Sequence, residues 1–460
     1  MEKGCEKILN FEVGTIAAGK DKSNGIIDVA IVNSLIEKRS DEVKLRAYKY
    51  GMLIVDECHH VSAFSTENLV VSFRAKYVYG LTATPIRRDG HQKIIFYQCG
   101  QILYSTTAKQ MNKTQSFVHY FIPRFSSFHY VQDIEEINKK NPSINDYYEK
   151  LITNEARNQL IVDDVKNAVA TGRIPMILSD RIEHLQILKE QLNSYAEEVI
   201  LLTGRGTQKQ KREILEKLNS VSKSKSLIIL ATGKYAGEGF DFPRIDTLML
   251  AMPFSWKGTL VQYCGRLHRN VEGKEEVQIF DYVDFRISVL DRMYQNRLKG
   301  YKQLGYSIKP DYCTTPNNKD DTLSRLYFTE DYKSDFEKDI TNSKTRIIVT
   351  APYISKYETQ NFVLMASKLL VNGVSIQIFI RSATEEWKLK KLNTCINLLD
   401  KAGIKVIQKE NITQKLAVID EKILWYGNIN FLGFTEDEEC AIRLLNSVIA
   451  SEIEGKIVSD

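Results

Sequence analysis

With 460 residues, 43% hydrophobic and 26% charged, the chain is too long for one core and too apolar for wholesale disorder. Its formal net charge of +5 permits a polyanionic partner without demanding one. No run approaches the ~18 consecutive apolar residues of a membrane span, and residues 1–14 lack the apolar stretch of a secretory signal. These features predict a cytoplasmic protein with no membrane partner. The seven cysteines stand singly with no C-x-x-C pair, so reduced thiols are expected rather than a disulfide framework or a zinc ribbon.

Strand and helix signals alternate along the chain, which predicts α/β architecture with parallel sheets. IIDVAIVNSL (26–35) reads as a strand running into a helix, YGMLIVDECHH (50–60) as an apolar strand ending in acids, and YVYGLTATP (77–85) as a strand closed by Thr and Pro. Residues 126–158, broken by Asn141-Pro142, read as a linker or insertion. A second α/β unit follows, with strands at IPMILSD (174–180), EVILLTG, LIILATG, TLMLAMP and VQIFDYVD (277–284). DYCTTPNNKDD (311–321) has the composition of a linker, and a third α/β unit lies beyond it. The expected division is 1–125, linker 126–158, 159–310, linker 311–325 and 326–460.

Asp56 and Glu57 directly follow the strand MLIV, with Cys58 and His59 next. In doubly wound sheets ligands bind beyond the carboxyl ends of strands, so acids there can face a site. An Asp can hold Mg²⁺ on a nucleoside triphosphate, and a neighbouring Glu can orient the attacking water. Taken alone, such a pair is better read as a surface acidic pair capping a helix. Farther on, Gln262, Arg266 and Arg269 are spaced i, i+4, i+7, which predicts one helical face. Paired guanidiniums suit a polyphosphate, although a solvated basic face explains that run by itself. The helix DRMYQNRLKGYKQLGY (291–306) interleaves basic and aromatic residues, and a tyrosine stripe packed between domains is the favoured reading.

The order of these pieces resembles the superfamily 2 helicases of the DEAD/DEAH type, in particular bacterial ones of the restriction or defence type. DECH (56–59) is similar to their motif II, TATP (82–85) to motif III and ILSDRIEHL (177–185) to motif IV. ATGKYAGEGFDFP (231–243) is similar to motif V, QYCGRLHR (262–269) to motif VI and DVAIVNSL (28–35) to motif Ib. The resemblance spans about residues 10–305 and implies two RecA-like lobes. It implies ATP and Mg²⁺ as cofactors, with Asp56 toward Mg²⁺ and Glu57 toward the catalytic water. Thr82 and Thr84 would couple nucleotide state to lobe movement. Gln262, Gly239 and Asp241 would lie at the nucleotide, and Arg266 and Arg269 would reach its phosphates. Nucleic acid, DNA rather than RNA, would be gripped by its backbone near Asn33, Ser34, Asp180, Arg181, Thr203, Gly204, Thr232 and Gly233, with little sequence specificity.

Such an ATPase needs a G-x-x-x-x-G-K-[ST] loop at a strand-to-helix turn. Gly14–Lys20 nearly matches, but Asp21 replaces the hydroxyl, KSNG follows where a helix should begin, and only 36 residues separate Lys20 from Asp56. A polar hairpin is expected there instead. The first lobe is then an incomplete sheet, and three explanations stand: a truncated product, a separate polypeptide supplying motif I, or a nucleic-acid-binding relic. Hydrolysis of ATP by the chain alone is expected to be weak or absent.

In the third unit, Lys415, Asp420, Asn428 and Asn430 resemble the H-x-K-x4-D…G-S-x-N signature of the phospholipase D-like fold. Thr413 stands at the nucleophilic His position and Asn428 at the Ser position. No histidine lies beyond His268, so no other imidazole in this unit can substitute. A threonine hydroxyl without a base is a poor nucleophile, which predicts a degenerate nucleic-acid-binding module; a plain packing domain and an active nuclease are the alternatives.

Overall fold

The computed structural model describes residues 6, 9–17, 19–36, 47–82, 92–106, 117–130, 142–204, 208–222, 224–237, 242–255, 257–310, 324–383, 385–410, 412–436 and 439–459. The chain forms two compact units, Met1–Thr106 and Thr107–Asp460.

In the first unit, β1 (Gly14–Ala17) pairs antiparallel with β2 (Lys20–Lys22) and parallel with β3 (Asp28–Ala30), which leads into the helix Val32–Ile36. The predicted polar hairpin is therefore present, with Gly19 at φ +74° supplying its left-handed corner. Among the described residues a second sheet holds β4 (Met52–Asp56) and β5 (Tyr77–Leu81), paired in parallel with Asp56 opposite Leu81. Side chains alternate across a strand. One face of the pair sends Leu53 and Val55 onto a core of Cys58, Val61, Val70 and Ile95, while Met52, Ile54, Tyr77, Tyr79 and Leu81 are exposed on the other. Parallel sheets normally bury both faces. Among the described residues this two-stranded, half-covered sheet matches the incomplete first sheet expected from the sequence.

The second unit contains two seven-stranded sheets. The first is wholly parallel, in the order β12 (Ser307–Ile308), β6 (Val118–Phe125), β11 (Glu276–Val283), β10 (Thr247–Leu250), β7 (Pro175–Leu178), β9 (Leu227–Ala231) and β8 (Glu198–Leu202). Its central strands PMIL, LIILA and TLML are buried at every position, as continuous apolar runs between helix layers should be. The other sheet is mixed: β13 (Arg325–Phe328), β19 (Cys440–Leu445), β18 (Ile423–Gly427), β17 (Lys415–Ile419), β14 (Arg346–Ala351), β15 (Ser375–Arg381) and β16 (Lys405–Lys409). Antiparallel pairing runs from β13 to β14, and parallel pairing from β14 to β16.

Two expected boundaries differ. β6 lies in the second unit, paired with β11 over eight residues and buried at Phe121 and Ile122, so the break falls near residue 106 rather than 125. The segment expected as a linker at 126–158 instead carries the helix Ile144–Thr153, opened by a Ser143–Asp146 capping box. Its Leu151 and Ile152 join Phe128, Met252 and Leu290 in a small core. At the other junction, residues 311–323 lie outside the described residues, yet the sheets they connect share one apolar core. Phe125, Phe285 and Tyr294 of the parallel sheet and its helices surround Tyr426 of β18 at centroid distances of 5.2, 6.4 and 6.0 Å. Of the expected tyrosine stripe on the helix Ser288–Gln303, Tyr294 faces this space, while Tyr301 stacks on Phe121 of β6.

Candidate nucleotide and nucleic-acid sites

In the first unit the carboxyl ends of β4 and β5 carry the acidic pair and Thr82. Glu57 takes a left-handed backbone (φ 49°), and its amide donates to Asp56 Oδ1 at 3.0 Å. His59 Nδ1 lies 3.1 Å from Glu57 Oε2 and 3.0 Å from Thr82 Oγ1, so one imidazole joins the ends of neighbouring strands. Beneath them Cys58 is buried, which pushes its thiol up to about 11. Gly80 is required there: a Cβ would come within 2.8 Å of Cys58 Sγ. Thr84 lies outside the described residues. Asn33 and Ser34 stand on the helix Val32–Ile36, Asn33 exposed and Ser34 half-buried, while Leu35 anchors it.

The test for Mg²⁺ and ATP is only partly met. Two carboxylates at a strand end suit a hard cation that keeps most of its ligands from water and phosphate. Among the described residues no group of three or more His, Cys, Asp or Glu side chains could hold a metal unaided. The phosphates find no cradle at Gly14–Lys20, because that stretch is a hairpin without a following helix. Gly14 also packs on Asp28, whose carboxylate accepts the Asn24 and Gly25 amides at 2.7 and 3.0 Å.

In the second unit the parallel sheet brings the remaining predicted residues to one edge. Asp180 and Arg181 follow β7, Thr203 and Gly204 follow β8, and Thr232 and Gly233 follow β9, on three adjacent strands. The Thr232 amide donates to Leu202 O at 3.1 Å, and Thr232 itself is buried. Gly233 has no room for a side chain: a Cβ would sit 1.8 Å from Tyr263 Oη and 2.5 Å from Asp180 Oδ1. Tyr263, which the sequence reading missed, thus ties the helix Lys257–Leu267 to the ends of β7 and β9. Burial and the nearby Asp180 push its phenol pKa up. Arg181 donates to Asn145 Oδ1 at 2.6 Å and lies over the Tyr148 ring.

Gln262 and Arg266 are half-buried on the helix Lys257–Leu267, one turn apart. Arg269 does not continue that face. The helix ends at Leu267, and Arg269 is exposed beyond it. The stop has a physical cause in Lys274, whose ammonium donates to Leu267 O and Arg269 O at 3.1 and 3.0 Å and to Pro243 O and Ile245 O, both at 2.8 Å. This cation collects the carbonyls that a helix end leaves open. It also joins the segment after Asp241 to the segment holding Arg269. Burial lowers its pKa to about 8. Gly239 and Asp241 lie outside the described residues.

Three family models match the chain. The model described as type III restriction enzyme, res subunit covers residues 2–87, the helicase conserved C-terminal domain covers 156–271, and the model described as cardiolipin synthase, PLD-like domain covers 336–460. These matches mark superfamily 2 helicase segments followed by a phospholipase D-like domain. Among curated proteins, the chain is 30% identical over 291 residues to 161L of Invertebrate iridescent virus 6, named as a helicase, covering 61% of each chain. It is 25% identical over 301 residues to the transcript termination protein OPG145 of Vaccinia virus, covering 60% of this chain and 59% of that one. The chain therefore spans about three-fifths of the length of these relatives. Among solved structures, Dbp5 of S. cerevisiae bound to RNA and ADP BeF3 is 11% identical with a TM-score of 0.42, covering 64% of this chain and 67% of that one.

In the phospholipase D-like domain the signature residues separate into two groups. Thr413, Lys415, Asn428 and Asn430 cluster at one end of β17 and β18. Lys415 Nζ donates to Asn428 O at 2.5 Å and pairs with Glu439 at 3.0 Å, so its charge is already matched. Asn428 Oδ1 accepts the Cys440 amide at 2.6 Å, and Asn430 Nδ2 donates to Tyr353 O at 2.7 Å. Glu439 went unnoticed in the sequence, where it closes the acidic run Glu436–Glu439. Asp420 stands at the opposite end of β17, with Ser343 Oγ, Thr345 Oγ1 and the amides of Lys344, Thr345 and Arg346 all donating to it within 3.0 Å. Its place is structural.

Burial pushes the Asp420 carboxyl up, but the Arg346, Thr345 and Lys344 amides and the Ser343 hydroxyl outweigh it and hold the pKa at about 2. A depressed carboxylate stabilises the fold above its unfolded pKa, and that contribution is lost as pH falls through the folded value. After solvent screening it amounts to about 1–2 kcal/mol. Asp420→Ala is expected to lower the urea midpoint at pH 7, with the difference from wild type shrinking between about pH 4 and 2. An unchanged gap across that window would remove this role.

Among the described residues no helix is long and apolar enough to cross a membrane.

Proposed function

We propose that the chain is the motor portion of an ATP-dependent nucleic-acid helicase or translocase, acting on DNA. Asp56 holds Mg²⁺ on the nucleotide, Glu57 orients the water, and Arg266 and Arg269 neutralise the phosphates, with Gln262, Gly239 and Asp241 at the nucleotide. Thr82 and Thr84 carry nucleotide state to the lobes. Asn33, Ser34, Asp180, Arg181, Thr203, Gly204, Thr232 and Gly233 grip the strand by its backbone. The observation that carries this reading is the gathering of three expected strand-gripping pairs, 180–181, 203–204 and 232–233, on one carboxyl edge of a parallel sheet, where such folds bind ligands. The preference for DNA takes its support from the restriction-enzyme family model.

The hairpin at 14–22 favours a second reading, a nucleic-acid-binding protein without hydrolysis of its own. The two readings join if a segment bearing the phosphate loop, on a separate polypeptide, completes the first lobe. The test is nucleotide binding and hydrolysis by the full chain, with and without single-stranded DNA or RNA, beside Glu57→Gln and Arg269→Ala. We expect hydrolysis near background, weaker binding of a fluorescent ATP analogue in Arg269→Ala, and residual turnover lost in Glu57→Gln. Identical nucleotide binding by all three proteins would end the motor reading. Vigorous DNA-stimulated turnover by the chain alone would end the claim that it lacks a working phosphate site.

A further inference from the structure

We propose that Cys58 and Cys99 form a redox-sensitive thiol pair in the first unit, closing to a disulfide that clamps the turn after β4 to the helix Gln92–Cys99. Cys58 opens the single turn Cys58–His60, and Cys99 is the last residue of that helix. Both lie on the covered face of the β4–β5 pair, packed with Leu53, Val55, Val61, Val70 and Ile95. Gly80 of β5 shows how near they come. A Cβ built on it would lie 3.0 Å from Cys58 Cβ and 2.9 Å from Cys99 Cβ. The two Cβ atoms are therefore no more than about 6 Å apart, and a disulfide holds such atoms at about 4 Å. The remaining gap can close at the helix end, because Gly100 follows with a left-handed backbone (φ +81°) and frees the chain to turn there. Each thiol also shifts the proton affinity of the other, as neighbouring groups in an apolar core do.

The two thiols differ in access. Cys58 is buried and Cys99 half-buried, so a reagent meets Cys99 first. The other described cysteines, Cys264, Cys395 and Cys440, lie on separate elements of the second unit. The oxidant is a small disulfide such as glutathione disulfide. The Cys99 sulfur attacks it, forming a mixed disulfide and releasing one glutathione; the Cys58 sulfur then attacks the Cys99 sulfur and releases the second. Two protein S–H bonds are lost and one S–S bond is gained, with both electrons and both protons passing to the two glutathione thiols. Burial raises both protein thiols above their ordinary pKa, which keeps this exchange slow. The bridge closes a loop of about 40 residues that contains β5 and the helix Phe64–Ser72. It thereby fixes the backbone that presents Glu57 and His59, the neighbours of Cys58 in sequence.

The inference stands apart from the proposed function, since it concerns the thiols themselves whether or not the chain hydrolyses ATP. The test incubates the full chain in native buffer with excess glutathione disulfide, blocks the remaining thiols with N-ethylmaleimide and maps the unreduced peptides by mass spectrometry. A peptide joining Cys58 to Cys99 within one chain is expected as the main protein disulfide, and dithiothreitol should remove it. In the bridged protein, amide exchange along Gln92–Cys99 and Cys58–His60 should slow about tenfold or more. Cys99→Ala should show neither the joined peptide nor the slowing. If that variant does not fold, the wild-type map decides, because it needs no substitution. Glutathione left on Cys99, a bridge from either residue to another cysteine or another chain, or both thiols recovered as N-ethylmaleimide adducts would overturn the pair. A bridged protein with unchanged exchange would overturn the clamp.

Discussion

Urea unfolding of an Arg297→Met protein is expected to show a loss of about 3–5 kcal/mol relative to wild type. Arg297 is fully buried, and its Nε and Nη2 grip both oxygens of Asp281 at 2.8 and 2.7 Å. Nη1 donates to Phe254 O at 2.5 Å, and Tyr301 Oη gives Asp281 a third donor at 2.7 Å. The pair pins the helix Ser288–Gln303 to β11 and to the loop that precedes the helix Lys257–Leu267. Removing the cation alone leaves a carboxylate buried with only a phenol for company, and that desolvation is where the cost arises. Replacing both partners tests the account: Arg297→Met/Asp281→Leu should recover most of the loss, since no charge is then stranded. A double variant as unstable as the single one would mean the pair is worth its own attraction and not merely its repair.

Much of the fold was legible because parallel strands announce themselves. PMIL, LIILA and TLML are short apolar runs bounded by polar turns, and each is a central strand buried on both faces. VHYFIPRF was not recognised, because a proline and polar residues interrupt its apolar pattern and its partners lie some 160 and 190 residues away in β11 and β12. Local signals do not register such pairings, and so the first boundary was drawn too late. The candidate sites divide on the same principle. Residues next to a strand end, such as Asp56, Asp180 and Thr232, could be named from the sequence. Lys274, Tyr263 and Glu439 could not, since each acts on backbone or side chains brought near only by tertiary packing. Arg269 shows the limit of helical spacing: i, i+7 holds only while the helix lasts, and the carbonyls captured by Lys274 end it two residues early.

Residues 311–321 have the composition of a linker, yet the sheets on either side of them pack together around Tyr426. Tyr426 is fully buried in β18, ringed by Phe125, Phe285 and Tyr294 from the other sheet, and its hydroxyl donates to Asp291 on the helix between them. Lys302 Nζ also sits 3.0 Å above the Phe328 ring of β13. Truncating Tyr426 to alanine removes a large buried ring and leaves Asp291 without its phenolic donor, an expected cost of about 3–5 kcal/mol. The sharper expectation concerns where that cost is felt. Because one apolar core serves both sheets, Tyr426→Ala should speed amide exchange at β7 and β9 of the parallel sheet as well as at β18. Cleavage at a protease site placed within residues 311–323 should leave the two fragments associated through gel filtration. Fragments that separate in native buffer, or an exchange effect confined to the phospholipase D-like sheet, would show that the halves are independent bodies.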